Sequence, residues 1–477
     1  AIFIWVIMDF NLKKYTFFFL LMILTPFCSF SQNFNIKIIS NNLTCDSLFL
    51  KGFDGKKEFT NLISISYHST ATLKQKGSLP PGIYRVCADT AQLFEFLISN
   101  TKQQSFVVNM DNNGKLIFQN NDENNHYIAY LEQIKIFNNR FQEINQTFED
   151  AQKTMPQYML QTLADNLIAK ADKLTEEVTT YKQQLIENNQ GTLLASLVKL
   201  SFEIPPAPRH YYQNQLLLRQ YNATHFFDNY PYEDERILNT PIAVFKMKEF
   251  AASLYMIDTQ GGDTILNRIL TEAQISQTTY YAFFDHFEKI IGSLTSPYWS
   301  EDLFLVMLDN ALNYKRLDDA RKIRYSAQLE THSKNRVGNR VPNFKLLMSN
   351  GDTTSLYDIQ AEYLLVYFQN PDCPTCTEVR QKLALNDDLN RAIDHGRLKL
   401  VTVYFEQDTV LWHRYLKEKS NPKYLHGWEY PHQIEDEKLF DLRIIPYMFL
   451  LDRDKKVIRK DILFNEISDY LRLLKIQ

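Results

Sequence analysis

Hydrophobic and polar positions change their spacing twice along this chain of 477 residues. Between residues 32 and 122, short apolar or alternating runs are separated by turn signals such as Asp54-Gly55 and Asn113-Gly114, a pattern typical of β-strands. The predicted strands are Phe34–Ile39, Ser47–Leu50, Leu62–Tyr67, Gly82–Cys87, Leu93–Ile98, Ser105–Asn109 and Leu116–Phe118. Strands at this spacing predict a small all-β, sandwich-like domain.

From residue 123 to 335 the apolar residues recur every three or four positions, as on amphipathic helices. The clearest stripe runs from Leu160 to Leu185, and a looser one covers Tyr127–Phe148. Further helices are predicted at Thr240–Met256, Asp263–Ala273, Thr279–Ser293 and Glu301–Asn313. Because such stripes are normally packing faces, we predict an α-helical region without a site of its own.

Residues 336–477 combine both patterns. Tyr363–Phe368 (YLLVYF) is a continuous apolar run typical of a buried strand, and Thr377–Ile393 has helical periodicity. The other predicted elements are a hairpin around Asn350-Gly351, a helix at Thr409–Glu418, and strands at Leu398–Phe405, Tyr447–Leu451 and Lys456–Asp461. This alternation predicts an α/β domain at the C-terminal end of a multi-domain protein.

Composition and charge exclude several functional classes. Hydrophobic residues make up 45% and charged residues 23% of the chain, which is enough apolar material for buried cores. The net charge of -4, with basic residues scattered among acidic ones, gives no electrostatic basis for binding nucleic acid. The 13 glycines form neither a phosphate-binding loop nor a dinucleotide fingerprint. We therefore expect no nucleic-acid partner and no cofactor.

Residues 1–31 have the pattern of a secretory signal peptide. The basic pair Lys13-Lys14 precedes the apolar run Tyr15–Phe27, and small residues at alternate positions predict cleavage after Ser31. The apolar run is shorter than the roughly 20 residues needed to span a bilayer. The sequence therefore predicts an exported protein of the periplasm or cell envelope.

Two residues refine this prediction. Met8 lies just ahead of the basic pair, so residues 1–7 are interpreted as preceding the true start. Cys28 could be a lipoprotein attachment site, but bulky Phe27 stands where a small residue is expected and disfavours it.

Four cysteines remain once the signal segment is removed: Cys45, Cys87, Cys373 and Cys376. An even number in an oxidising compartment is compatible with two pairs. For Cys45 and Cys87, both in the β domain, a structural disulfide and two small buried thiols are alternatives that the sequence leaves open.

The segment Cys373-Pro374-Thr375-Cys376 carries the candidate chemistry. A zinc site needs four ligands, and the chain has neither a second C-x-x-C nor histidines at finger-like spacing downstream, so we expect no metal. A structural disulfide across three residues would close too short a loop to stabilise the fold much. These two alternatives are therefore disfavoured against a redox-active dithiol.

The order strand, loop, C-x-x-C and helix places Cys373 at the start of a helix. There, free backbone N–H groups stabilise the thiolate that attacks disulfides. Cys373 is the predicted nucleophile, and Cys376, one turn inward, is the predicted resolving cysteine. Two neighbouring carboxylates, Asp372 and Glu378, oppose a thiolate at Cys373. Two neighbouring cations, Arg380 and Lys382, favour it.

At this point the chain resembles a TlpA-type thiol–disulfide oxidoreductase of the thioredoxin superfamily. The resemblance covers residues 336–477 and rests on VPNF at Val341–Phe344, the strand LLVYF, the CPTC motif and RIIPYMFLLD at Arg443–Asp452. It implies that Pro446 is a cis proline facing the dithiol and that the backbone at Ile445 and Pro446 pairs with the bound substrate. The implied partners are exported proteins that contain disulfides and a membrane-linked dithiol donor.

The β and helical regions resemble accessory domains of uncharacterised function that are fused to such enzymes in Gram-negative envelope proteins. This resemblance rests on the segments Gly82-Ile83-Tyr84, Asn124–Tyr127 and Tyr211–Thr240. The C-terminal domain also departs from the thioredoxin pattern. Tyr367 stands where a buried acid is usual, and Gln369 replaces a common tryptophan. These departures leave the direction of electron transfer open.

Two alternative functions remain. One is an envelope binding or assembly protein whose thioredoxin-like part is a degenerate recognition module. The other is a thiol peroxidase, which would require Pro-x-x-x-Thr-x-x-Cys ahead of the reactive cysteine. This chain has Val366 and Asn370 at the proline and threonine positions.

Overall fold

The structure is a computed structural model. It describes residues 34–40, 47–55, 57–66, 70–75, 77–88, 91–100, 104–257, 259–293, 295–442 and 444–476. The predicted signal peptide, Cys28 and Cys45 lie outside these residues. Contacts divide the chain into two compact units that meet within one helix, at residue 168: residues 1–52 with 58–168, and residues 53–57 with 169–477. The predicted domain boundaries stay predictions.

The first unit is built on an eight-stranded sheet, which confirms the predicted all-β region. The strands are β1 (Phe34–Ser40), β2 (Leu48–Phe53), β3 (Glu58–Ser66), β4 (Thr70–Gln75), β5 (Gly82–Ala88), β6 (Ala91–Ile98), β7 (Ser105–Met110) and β8 (Leu116–Gln119). They form one hydrogen-bonded sheet in the order β6-β5-β2-β3-β4-β1-β7-β8. The sheet folds over, because Phe96 of β6 packs against Phe106 of β7 with ring centroids 5.8 Å apart. Its two ends therefore share one apolar core.

Helix α1 (Asp122–Thr154) follows the sheet and packs on β6 and β8. It begins at Asn121, whose side chain accepts a hydrogen bond from the N–H of Asn124, as a helix N-cap does. Helix α2 (Gln157–Asn188) contains the long stripe predicted from Leu160 to Leu185.

The second unit continues with a helical region. Its helices are α3 (Leu193–Leu200), α4 (Gln215–His225), α5 (Pro241–Leu254), α6 (Thr259–Ala273), α7 (Gln277–Ile291), α8 (Glu301–Asn313) and α9 (Asp319–His332). Four of them match the predicted segments. Clustered aromatic side chains fill the region, with the rings of Phe227, Phe250, Phe283 and Phe287 in mutual contact. The predicted stripes are thus packing faces.

The α/β domain follows α9. Its strands are β9 (Lys345–Met348), β10 (Thr353–Ser355), β11 (Tyr363–Phe368), β12 (Leu398–Tyr404), β13 (Leu425–Trp428), β14 (Tyr447–Leu451) and β15 (Val457–Lys460). Its helices are α10 (Pro374–Ala384), α11 (Asp387–Asp394), α12 (Thr409–Glu418), α13 (Gln433–Asp436) and α14 (Ile467–Leu473). The helical periodicity predicted over Thr377–Ile393 falls on two helices, because α10 ends at Ala384 and Asn386 caps α11 through the N–H of Leu389.

The sheet of this domain has the order β10-β9-β13-β12-β11-β14-β15. Central β11 runs parallel to β12 and antiparallel to β14. Its side chains alternate between two apolar cores, with Val366 and Phe368 in one and Leu365 and Tyr367 in the other. A strand buried on both faces requires such a continuous apolar run.

The segment between α9 and β9 pairs with the start of β15 and the residues just ahead of it. The N–H of Gly338 donates to the carbonyl of Val457 at 2.8 Å, and the N–H of Val457 donates to the carbonyl of Asn339 at 2.9 Å. The N–H of Val341 donates to the carbonyl of Lys455 at 3.0 Å. The chain that leaves the helical region is therefore paired to the sheet of the α/β domain before it enters β9.

Candidate dithiol site

The four residues from Cys373 to Cys376 lie where β11 leads into α10. Asn370 turns the chain, since its Oδ1 accepts from the N–H of Asp372 at 2.8 Å and its carbonyl accepts from the N–H of Cys373 at 3.1 Å. Pro374 then occupies the first helical position, where a missing N–H costs nothing. The local sequence thus places Cys373 at the N-cap of α10 and Cys376 one turn inward.

The two sulfurs have different surroundings. Cys373 is partly exposed and Cys376 is fully buried, and both are free thiols. The Cys373 Sγ accepts a hydrogen bond from the backbone N–H of Cys376 at 3.3 Å, as an N-cap side chain does. The Cys373 sulfur is accessible to a partner molecule, and the Cys376 sulfur lies behind it in the interior.

Burial and a hydrogen bond with Cys373 raise the pKa of Cys376 to about 12. The backbone of Asn370, hydrogen-bonded to the Cys376 sulfur, and the positive charge of Arg380 act in the opposite direction. In the free dithiol, Cys376 is therefore a protonated thiol at neutral pH.

Tyr367 occupies the position where the resembling family carries a buried acid. It is fully buried, and its hydroxyl donates to the backbone carbonyl of Cys376 at 2.8 Å. Burial raises the pKa of Tyr367 well above its ordinary value of 10.0. At neutral pH its hydroxyl is therefore a hydrogen-bond donor and no proton acceptor.

Arg380 lies on the inner face of α10 and is only 7% exposed. Its guanidinium donates to Gln369 Oε1 at 2.8 Å and to Thr377 Oγ1 at 3.0 Å, and it lies over the ring of Tyr415. Gln369 is fully buried, and its Nε2 has no hydrogen-bond partner within the described part of the chain. The sequence pointed to the charge of Arg380 but not to its burial.

The two carboxylates near the dithiol are paired with cations. Asp372 contacts Arg414 at 2.7 Å and Lys419 at 3.7 Å. Glu378 contacts Lys382 at 2.5 Å. The opposition to a thiolate that the sequence predicts from these two carboxylates is therefore reduced by their partners.

The peptide bond between Ile445 and Pro446 is cis, as the resemblance implies. The next residue, Tyr447, is paired with Phe368 at the end of β11. Because Phe368 leads to the dithiol and Tyr447 opens β14, the two loops leave neighbouring strands at the same end of the sheet. The structure thus brings the four predicted site residues of this domain to one end.

A cleft lies beside this loop, between the helical region and the strands β14 and β15. Its lining includes Trp299, Glu301, His332, Ile444, Tyr447 and Lys460. The ion pair of Lys460 with Glu301 joins the two sides. The helical region therefore forms one wall of a cleft beside the cis-proline loop.

The other predicted site residues lie elsewhere. Cys87 is a buried, free thiol in β5. Its predicted partner Cys45 lies outside the described residues, so their disulfide stays a prediction. Within the part of the chain that the structure describes, no three His, Cys, Asp or Glu side chains form a group that could hold a metal ion. None of the described helices is both long and apolar enough to cross a bilayer.

Comparisons with known proteins bear on the fold. A crystal structure of a thioredoxin-like protein from Bacteroides caccae matches 57% of this chain and 98% of its own length, with 24% identity and a TM-score of 0.54. The C-terminal domain has the thioredoxin-like fold. A C-terminal domain of an uncharacterised protein from Bacteroides fragilis is 29% identical over 29% of this chain and 98% of its own, with a TM-score of 0.28.

A thioredoxin domain of a thiol–disulfide oxidoreductase from Bacteroides vulgatus is 18% identical over 29% of this chain and 97% of its own, with a TM-score of 0.27. A family model for a domain of unknown function, DUF5106, matches residues 141–335. That match lies within the helical part of the chain, ahead of the thioredoxin-like domain. No curated protein matches the chain.

The thioredoxin-like domain also buries a polar group of side chains that the sequence did not reveal. His426 Nε2 donates to the carbonyl of Asn421 at 2.9 Å, so its Nδ1 accepts from Thr402 Oγ1 at 2.7 Å and from the Tyr415 hydroxyl at 3.1 Å. Burial lowers the pKa of His426 below its ordinary value of 6.5. The histidine is therefore neutral, and Tyr415 connects it to the ring face under Arg380.

Proposed function

We propose that this protein is a thiol–disulfide oxidoreductase that acts on disulfides of exported proteins. The Cys373 thiolate attacks a substrate disulfide and forms a mixed disulfide, and one substrate sulfur leaves as a thiolate. Cys376 then attacks the Cys373 sulfur, which releases the second substrate thiolate and leaves a Cys373–Cys376 disulfide. A membrane-linked dithiol donor returns the two electrons.

The observation that carries this proposal is the pairing of an accessible sulfur at a helix N-terminus with a buried sulfur one turn behind it. A structural pair would have no need of an open first cysteine. The thioredoxin-like fold and the cis-proline loop at the same end of the sheet support the assignment. In this proposal the backbone at Ile445 and Pro446 pairs with the substrate segment that carries the attacked sulfur.

The cleft beside the loop supports a role for the helical region. Ile444, which is 48% exposed, and Tyr447 lie at the junction of the loop and the cleft. A substrate segment lying along Ile445 and Pro446 would continue toward this wall. We therefore propose that the helical region contributes to substrate binding in the periplasm or cell envelope.

The test is reduction of insulin disulfides by the protein in the presence of a dithiol reductant. Cys373→Ser is expected to abolish the activity, and Cys376→Ser to accumulate mixed disulfides with substrate proteins. Cys87→Ser is the matched control, since this buried thiol is remote from the dithiol in sequence and lies in the other unit, and it should retain full activity.

Insulin reduction that survives Cys373→Ser would overturn the proposal. A Cys373 that does not react with iodoacetamide at any pH would favour a binding or assembly protein instead. Rapid consumption of hydrogen peroxide that depends on Cys373 would favour a thiol peroxidase.

A further inference from the structure

Within the described residues, Tyr367 stands beside the resolving cysteine where the resembling family carries a buried carboxylate. We propose that Arg380 is the positioning residue for the resolving step, where its buried positive charge holds the thiolate of Cys376 in place of a buried carboxylate base. This inference rests on the proposed function and concerns the second of its two steps. The resolving step would then depend on the positive charge of Arg380, which does not titrate.

The geometry of α10 brings the two groups together. Arg380 follows Cys376 by four residues on the same helix, and both side chains are buried. Residues at this spacing lie on one face, with their Cβ atoms about 5–6 Å apart. The hydrogen bonds to Gln369 and Thr377 fix the guanidinium in the interior.

The charge of Arg380 is not balanced by a carboxylate. Within the described residues, its hydrogen bonds go to an amide and a hydroxyl, and no ion pair involves it. An arginine cannot lose its proton in a protein, and a buried charge without an opposite charge is costly. A thiolate at Cys376 would supply that opposite charge, so the site favours the reactive form of the sulfur.

Among the described residues that pack around Cys376, none of the titratable side chains is suited to take its proton. Cys373 on α10 is consumed in the mixed disulfide, and Tyr367 on β11 keeps its own proton at neutral pH. Behind Arg380 stand Tyr415 of α12 and His426 of β13. Burial raises the pKa of the former, and the Nδ1 of the latter already accepts two hydrogen bonds.

The resolving step then runs as follows. Cys376 loses its proton to solvent, and the thiolate is held by Arg380 and by the backbone of Asn370. Its sulfur attacks the Cys373 sulfur, the bond from Cys373 to the substrate breaks, and the substrate sulfur departs with the electron pair. The protein dithiol is oxidised by two electrons and the substrate disulfide is reduced by two.

The aromatic disulfide dithiobis(nitrobenzoate) separates the two steps on the full-length protein. Attack by Cys373 releases one thionitrobenzoate, and resolution by Cys376 releases the second, so the absorbance rises in two phases. Cys376→Ser removes the second phase, and the double variant Cys373→Ser/Cys376→Ser measures the colour from other cysteines. The rate of the second phase is then recorded against pH.

Arg380→Gln removes the charge and keeps an amide for Gln369, whereas Arg380→Lys keeps the charge. We expect Arg380→Gln to slow the second phase about tenfold near pH 8 and Arg380→Lys to slow it about threefold or less. Lys382→Met is the matched control, since it removes an exposed cation from the same helix. It should change the rate by less than about twofold.

The parent protein gives an independent measurement if Arg380→Gln does not fold. Its second phase should accelerate about tenfold per pH unit from about pH 6 to 9, because only Cys376 titrates. A second phase whose rate does not rise between about pH 6 and 9 would show that proton loss from Cys376 to solvent is not part of the step, and it would overturn the inference. The inference would also be overturned if the second phase had the same rate in the parent and in Arg380→Gln. Equal slowing of that phase by Arg380→Gln and Arg380→Lys would overturn it as well. Failure of the proposed function differs, because the first phase itself would then be absent.

Discussion

The β domain and the thioredoxin-like domain both bury polar side chains, but they use them differently. In the β domain, Asn124 and Gln104 bond to the backbone in pairs. Asn124 accepts from the N–H of Leu97 at 2.7 Å and donates to its carbonyl at 2.9 Å. Gln104 does the same with Leu79, at 2.7 Å in both directions. The Asn124 amide thereby takes the place of a neighbouring strand beside β6.

In the thioredoxin-like domain, two groups of buried polar side chains bond to one another. Gln369 meets Arg380, and His426 meets Thr402 and Tyr415. Gln369 Nε2 has no partner in the described part of the chain, and Arg380 has no carboxylate. Since incompletely matched buried groups are costly, the pair of Gln369 and Arg380 behind Cys376 is better explained by reactivity than by stability.

The largest expected effect tests the structural side of this comparison. Asn124→Ala leaves both the buried N–H and the carbonyl of Leu97 without a partner, which should lower the local unfolding free energy by about 3 kcal/mol. Hydrogen–deuterium exchange of peptides from β6 measures this loss. Insulin reduction should be unchanged.

The control is Glu132→Ala, an exposed substitution on the same helix. A loss below about 1 kcal/mol for Asn124→Ala would contradict the view that paired backbone hydrogen bonds make this amide structural.

A smaller effect is expected from His426 on going to acid pH. Well above its ordinary pKa of 6.5, the residue is neutral in the folded and unfolded states. As the pH falls below 6.5, the unfolded chain binds a proton that the folded domain accepts only at lower pH, so stability is lost. Between about pH 7 and 5.5 we expect a loss of at most about 1 kcal/mol, the value reached when only the unfolded chain binds the proton, measured by urea unfolding followed through tryptophan fluorescence, to which buried Trp412 contributes.

His426→Gln provides the comparison, because other ionisable groups contribute equally to both proteins. The variant should lose less stability over the same pH range. Identical pH dependence in the two proteins would show that the histidine does not titrate with folding.

The smallest effect is expected from Tyr367→Phe. It removes one buried hydrogen bond to the Cys376 carbonyl, worth about 1 kcal/mol. The second phase with dithiobis(nitrobenzoate) should change less than about threefold, because the tyrosine takes no proton.

Tyr357→Phe, which removes the hydroxyl that donates to the Val341 carbonyl, is the matched control. A collapse of the second phase in Tyr367→Phe alone would make the tyrosine a participant in proton transfer and weaken the contrast between the two domains.

Much of the fold was predictable where local signals coincide. Helix α12 and strand β14 match their predicted bounds because Asp408 caps the former and an unbroken apolar run forms the latter. Strands β4 (TATLKQ) and β13 (LHGW) were missed. Their own residues carry little apolar pattern, and neighbouring strands supply the hydrogen bonds that make them strands.

The candidate site was also predictable from the sequence only in part. The positions of Cys373 and Cys376 follow from residues within a few positions of them. The burial of Arg380 depends on Gln369 and on Tyr415, which lies 35 residues further along the chain on another helix. Such a contact leaves no trace in local spacing, so only the folded chain reveals it.

The segment that pairs with β15 has one more consequence. Strand β15 is the last in its sheet, and an uncovered last strand offers its backbone groups to any other extended chain. Residues 338–341 bond to the backbone of Lys455 and Val457, so they cover the start of this edge and protect the domain against edge-to-edge aggregation there. A fragment that begins after Val341 would keep the dithiol but lose this cover, and it should self-associate at concentrations at which the longer chain stays dispersed.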